Sequence, residues 1–322
     1  MPLWQILSFL SDHVGQSTPA SPRRQRPRLP VSLPCTMEQF PRVPPSLHGV
    51  WQRTLLQTAG NAIVDSETPV RWMQTASLFG DLRVPAAVSE APLPPLEACR
   101  PEHLTLLTTC NSFAGHTTLA GDVCTWHREV DLQPPSGVPD VGLLRYVSED
   151  KIYEDDVEGV DYHEVWERLL ESKGGPVWAL RLSGAGTHGR RRAFLLRTGD
   201  CFMFVADRTT GSPLPAVPGD RTCHFGTTRL AASLGALEGD LAAQQAALSY
   251  EASYGRVALG SEGEPPWRIE LSTLPGRVGR RLLPVDAPGG VEELLAWGGG
   301  RLAIGGCPPE GGWEAVRDDG LL

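Results

Sequence analysis

Proline and glycine interrupt this chain too often for long helices: 29 prolines and 35 glycines are spread through its 322 residues. Proline removes a backbone donor and clashes with the preceding helical turn. Glycine loses more conformational freedom on ordering than any other residue. This punctuation suits many short strands joined by tight turns.

The segments between the breakers read accordingly. Residues 49–56 (GVWQRTLL), 70–75 (VRWMQT) and 78–85 (LFGDLRVP) form a meander of strands at the spacing expected of antiparallel sheets. Residues 113–119 and 122–132 make a hairpin around Ala120-Gly121, with Trp126 and Arg128 on one face of its second arm. The alternation is imperfect, and the sequence does not say which face is buried. Residues 133–145 read as a loop. A second β-rich stretch holds strands at 177–182, 193–197, 201–206, 255–257 and 266–271, with a last one at 301–304. Helices are expected at 100–110, at 162–170 (YHEVWERLL) and, as the longest, at 234–250.

The formal charge of −9 and two short arginine runs (Arg23 to Arg26, Arg190 to Arg192) offer no basic face for displacing counterions, so nucleic acid is not an expected partner. The seven cysteines are scattered without a CxxC pair, which argues against a disulfide framework and against zinc. They read as small buried hydrophobes in a reduced compartment, the cytoplasm. No stretch approaches the roughly 20 apolar residues of a membrane span. Residues 1–36 contain Asp12 as their single acid and are rich in Ser, Pro and Arg. They read as a disordered extension or as a mitochondrial transit peptide, which would change the compartment.

Three motifs suggest catalysis or cofactors and fall short on context. Residues 184–189 (GAGTHG) match a dinucleotide fingerprint, but a strand rather than a helix follows, so a hairpin loop is expected. His163-Glu164 lacks the second histidine of a zinc helix. Cys124 and His127, like Cys223 and His224, lie at spacings that point to opposite faces of a strand. No catalytic residue, metal or cofactor is therefore assigned. The most informative motif is Gly49-x-Trp51 at the head of the first strand. In a small antiparallel barrel this Trp closes the floor, and an arginine from another strand stacks over it. Arg53, Arg83 and Arg128 are candidates for that arginine or for polar groups in the lumen.

Four further segments, RWMQTASLFGDLRVP (71–85), YHEVWERL (162–169), ALRL with AFLLRTGDCFMF (179–204), and ALSYEASYGRV with PPWRIEL (247–271), resemble in order and spacing a fungal family of small kinase-interacting (Hri-type) proteins. The resemblance spans most of residues 49–285. It implies two fused lipocalin-like β-barrels, with no catalytic residues to carry over. The chain differs from the family in its N-terminal extension, Pro-rich loops and Gly-rich tail.

The expectation is an all-β protein of two lipocalin-like antiparallel β-barrels with a few short helices. Residues 1–43 would be the extension, 44–172 the first barrel, 173–285 the second and 286–322 the tail. Its function would be non-catalytic binding of a small hydrophobic ligand by Trp51, Arg53, Trp72, Gln74, Arg83, Trp126 and Arg128, with Phe79 in the aromatic lining. The alternative is a protein-interaction module using the acidic surface at 149–167, which holds nine acids.

Overall fold

A computed structural model describes residues 40–157, 159, 161–183, 192–208, 214, 228–257, 266–297, 304 and 312–316. The described residues form one compact unit.

The first half is a closed barrel. Strands β1 (Gly49–Thr58), β3 (Val70–Gln74), β4 (Leu78–Arg83), β5 (Asn111–Ala120), β6 (Val123–Asp131), β7 (Asp140–Ser148), β8 (Lys151–Asp156) and β9 (Tyr162–Arg168) pair antiparallel in that order, and β9 returns to β1. A two-residue strand, β2 (Val64–Asp65), adds to β1 beside β3. Closure removes the open edges that would otherwise pair with other chains.

Glycine begins the barrel for a conformational reason. Gly49 has φ +138°, and a Cβ there would meet the Ser172 hydroxyl at 3.0 Å. Trp51 then turns inward, and its Nε1 donates to the Leu47 carbonyl at 2.9 Å. The short 3-10 turn Pro45–Leu47 thus closes the barrel floor with buried Leu47 and Val43. The inward parity continues around the wall as Trp72, Phe79, Phe113, Trp126, Leu144, Ile152 and Trp166, which form one buried cluster.

The second half is an open six-stranded sheet. Its order is β14 (Arg268–Ser272), β13 (Glu251–Arg256), β12 (Cys201–Ala206), β11 (Ala193–Thr198), β10 (Val177–Ser183) and β15 (Gly312–Val316). The end strands do not pair with each other among the described residues, so the expected second barrel is here a sheet. Every residue of β11 and β12 is buried, because both faces of the sheet are covered. One face (Phe194, Leu196, Met203, Val205, Tyr254) packs on the barrel wall at Val50, Met73, Leu82 and Ala114. Gly80 permits that approach: a Cβ on it would lie 2.7 Å from the Met203 sulfur. The other face (Leu180, Leu195, Phe202, Phe204, Trp267) is covered by α5 (Val291–Trp297), Leu282, Leu283 and Ile304, with Trp313 of β15 on the same face. Of the described residues after 286, Ala287, Leu294, Ile304 and Trp313 are buried in this core.

Several local expectations change. Of residues 162–170, expected as a helix, Tyr162–Arg168 form β9, the strand that closes the barrel, and Leu170 begins a 3-10 turn. The stretch read as a loop and an acidic run contains β7 and β8. The single helix expected at 234–250 is two, α3 (Thr228–Gly235) and α4 (Leu241–Ala247). Gly239, at φ +89°, and the Asp240 cap, which accepts from the Ala243 amide at 2.9 Å, separate them. After the one-turn α1 (Ala86–Ser89), the helix expected at 100–110 is α2 (Pro101–Leu107), and the 113–132 hairpin is β5–β6. Val43 is buried and its amide donates to the Ala76 carbonyl. The Gly184 to Gly189 loop and residues 301–303 lie outside the described residues, while β10 and β11 on either side of that loop pair directly.

Two glycines at β-bulges, Gly115 and Gly255, make close backbone approaches. A Cβ on Gly255 would lie 1.8 Å from the Arg268 carbonyl oxygen. We predict that Gly255→Ala lowers stability by about 1–3 kcal/mol or more, because the obstacle is main chain and cannot rotate away. Gly235→Ala, where a Cβ meets nothing within 4 Å at the end of α3, should be neutral or gain up to about 1 kcal/mol. Urea midpoints check the pair; equal shifts would contradict the argument.

Candidate functional site

The barrel strands repeat one arrangement: an aromatic or aliphatic side chain in the middle and a charged one nearer the same end. On β1 it is Trp51 then Arg53, and on β4 Phe79 then Asp81 and Arg83. The pattern continues with Trp126 then Arg128 on β6, Leu144 then Asp140 on β7, Ile152 then Glu154 on β8, and Trp166 then Glu164 on β9. The charged ends come together, with Glu154 opposite Glu164 and Arg128 bonded to Asp140 on the neighbouring strand. The result is an aromatic layer beneath a charged layer at the mouth opposite the Trp51 floor.

Four indoles make the lower layer. The Trp72 ring lies 6.2 Å from Trp51, 5.4 Å from Trp126 and 5.7 Å from Trp166, the last two edge-on. The arginine over Trp51 is none of the three expected. It is Arg168 from β9, whose guanidinium sits 4.4 Å above the ring and donates to the His48, Ser46 and Glu149 carbonyls. Phe113 instead carries an arginine from β6: Arg128 lies 3.5 Å over its ring.

The upper layer is a network of buried charges. Arg53 donates to Glu164 at 2.7 Å and to Asp65 at 2.6 Å. Arg83 donates to Asp81 at 2.7 Å and lies 3.8 Å from Glu164. Arg128 bridges Asp140 at 2.7 Å and Asp131 at 3.0 Å. Glu154 accepts from the Tyr162 hydroxyl at 2.8 Å and from Trp166 Nε1 at 2.9 Å. Five carboxyl groups (Asp65, Asp81, Asp140, Glu154, Glu164) thus share three guanidinium groups, while a sixth, Asp131, also feels Arg229.

The excess shows in the titration of the groups around it. Burial, then the neighbouring Glu164 charge, holds the Glu154 carboxyl well above its ordinary range. Burial likewise raises Asp81 against the pull of Arg83. Burial and then the Glu154 charge push up both the Tyr162 hydroxyl and the Cys124 thiol. For Arg83 burial acts downward, but the Asp81 and Glu164 carboxylates overcome it and raise the guanidinium.

A cleft opens into this region, lined by Trp72, Phe79, Asp81, Arg83, Phe113, Trp126, Asp140, Glu154 and Trp166. Its enclosed part measures about 20 Å³, room for a water molecule or a small polar head. Trp72 is 2% exposed, and its Nε1 has no hydrogen-bond partner.

Of the expected ligand residues, Trp72, Arg83 and Trp126 line the cleft. Arg53 and Arg128 stand behind it as counter-charges. Trp51 belongs to the floor, and Gln74 is saturated near it, donating to the Thr75 carbonyl at 2.9 Å and accepting from the Thr117 hydroxyl at 2.9 Å. Asp81, Asp140, Glu154, Glu164 and Tyr162 were not expected. Period-two parity would have found them, since Phe79 and Asp81 on β4, Asp140 and Leu144 on β7, Ile152 and Glu154 on β8, and Tyr162, Glu164 and Trp166 on β9 fall on one face of their strands.

The acidic segment 149–167 is largely committed within the chain. Glu154 and Glu164 point into the barrel, and Asp155 pairs with Arg145 and His163. Glu167 pairs with Lys151, and Glu149 and Asp150 with Lys173. Cys99, Cys110, Cys124 and Cys201 are free and buried. Among the described residues there is no group of three or more metal-ligating side chains, and no helix is long and apolar enough to cross a membrane.

We predict a pH signature for Glu154. With its folded pKa above the ordinary 4.5, the native state binds this proton more tightly than the unfolded chain. Its stabilising contribution is complete below that value and is lost as pH rises toward the folded pKa, by up to ~1.4 kcal/mol per pH unit. The stability of wild type relative to Glu154→Gln should therefore fall as pH rises above about 4.5 toward the raised folded value. Denaturant titrations across that window check it, and parallel curves would refute it.

No protein-family model matches the chain, and no curated protein does. Among solved structures, it is similar to the uncharacterized protein YLR301w from Saccharomyces cerevisiae: 11% identity, a TM-score of 0.45, 83% of this chain and 97% of that one. It is also similar to a lipocalin-like protein from Bacteroides uniformis, at 12% identity and a TM-score of 0.25, over 38% of this chain and 99% of that one.

Proposed function

We propose that this is a non-catalytic binding protein that takes a small organic ligand at the mouth of its closed barrel. The carrying observation is the layered lumen, with indole and phenyl rings beneath a ring of charged groups and a cleft leading to both. Small-molecule sites commonly combine apolar walls with a few convergent polar groups. The ligand's apolar part would rest on Trp72, Trp126 and Phe113, and its polar head would meet Asp81, Arg83, Asp140 and Glu154. With about 20 Å³ enclosed, a long apolar chain would have to displace side chains, so the reading favours a compact guest. The pairing within 149–167 leaves few unpaired acids for the interaction-module reading. Buried free cysteines support a reduced compartment such as the cytoplasm.

The test is native mass spectrometry of the protein from its own cells, with tryptophan fluorescence as a second readout on the lumen. A stoichiometric small molecule released on denaturation supports the reading. A protein that is empty under mild conditions, and whose fluorescence no small-molecule panel perturbs, overturns it.

A further inference from the structure

Resting on that reading, we infer that the ligand is a compact protonated amine carrying a hydroxyl or carbonyl oxygen a few bonds away. Two independent features point to it. The first is charge: more carboxyl than guanidinium groups surround the mouth, and those facing the cleft are Asp81, Asp140 and Glu154, with Arg83 the single cation among the lining. Buried carboxylates without counter-charge are costly. Arg83 is shared by Asp81 and Glu164 and Arg128 by Asp140 and Asp131, and no ion pair reaches Glu154 among the described residues. A cation seated among them therefore adds counter-charge that the arginines supply only in part.

The second feature is the Trp72 indole N–H, a buried donor without a partner on a side chain that lines the same cleft. An orphaned buried donor is a cost that an acceptor on the guest removes. A carboxylate guest would satisfy Trp72 but add a negative charge to an acidic site. An alkylamine alone would leave Trp72 unpaired. An amine with a neighbouring oxygen satisfies both, and an ammonium head is about as large as the water molecule the enclosed space admits.

Proton linkage provides a direct signature. Burial, then the Glu164 charge, makes Glu154 hold its proton more tightly in the free protein than an exposed carboxyl does. A bound cation favours the carboxylate, so binding expels a proton to solvent and strengthens as pH rises, by up to about tenfold per unit.

The probes are protonated 2-aminoethanol, ethylammonium, ethane-1,2-diol and glycolate, titrated by tryptophan fluorescence and calorimetry at constant ionic strength. Calorimetry in buffers of different ionisation enthalpy counts protons. The expected result is that 2-aminoethanol binds most tightly, releases a proton and tightens with pH. Ethylammonium should bind several-fold more weakly on wild type but equally on Trp72→Phe. Asp140→Asn should weaken the amines at least tenfold, and the wild-type proton count stands even if that variant folds poorly. Diol or glycolate binding as well as the amines, or amine binding without proton release, overturns this inference while leaving the binding reading intact. If no probe binds but the cellular protein carries a ligand without an amine, the inference also fails alone. If no probe binds and the cellular protein is empty, both fail.

Discussion

Replacing Arg53 by methionine should cost about 3–5 kcal/mol, lowering Tm by roughly 6–15 °C. The guanidinium stands at the β1–β9 seam that closes the barrel, with its side chain 4% exposed and that of Glu164 2% exposed. Methionine fills much of the same volume but leaves Glu164 buried with only the more distant Arg83, at 3.8 Å, as counter-charge. The penalty is that of an uncompensated charge, so removing the charge as well should return most of it. We expect Arg53→Met with Glu164→Gln to regain at least half of the single-variant loss. Thermal and urea unfolding of the four-member cycle checks this. A single-variant loss under about 1 kcal/mol, or strict additivity, would show that the pair is not coupled in this way.

Trp72→Ala should lose about 3–5 kcal/mol, because the indole is the centre of the four-ring cluster and its removal opens a cavity in the middle of the barrel. The partnerless N–H makes a sharper expectation available. Trp72→Phe removes ring volume but no hydrogen bond, and it abolishes an unsatisfied buried donor. Trp51→Phe breaks the bond to the Leu47 carbonyl that closes the floor. Trp72→Phe should therefore be the milder of the two, by about 1 kcal/mol, in denaturant titrations. The reverse order would mean that Trp72 has a partner in solution.

Much of the strand pattern was legible because local signals coincide there. Gly49-x-Trp51 announces the barrel's start, since the backbone at Gly49 excludes a side chain and the next inward position carries the floor indole. The β5–β6 hairpin was readable from Ala120-Gly121 between two apolar runs. The strands β7, β8 and β9 were not, because their inward faces carry Asp140, Glu154 and Glu164, and a polar residue on a strand ordinarily signals solvent. Residues 162–170 present Val165, Trp166, Leu169 and Leu170 at a helical spacing, whereas in the strand Val165 and Trp166 are buried on opposite faces and Leu170 is exposed. Pairing to β1 and β8 decided between them.

By itself the sequence determined the protein's β-rich class, its short elements and the aromatic composition of its lumen. These follow from residue-level properties: where proline and glycine stop a segment, and which side chains leave water. Only the tertiary structure decided that the first sheet closes while the second stays open against the barrel wall, that Arg168 rather than Arg53, Arg83 or Arg128 covers Trp51, and that the lumen's carboxyl groups meet at one mouth. Those outcomes depend on strand order and register. They bring together residues as distant as Arg53 and Glu164, whose attraction and burial exist only once the barrel has closed.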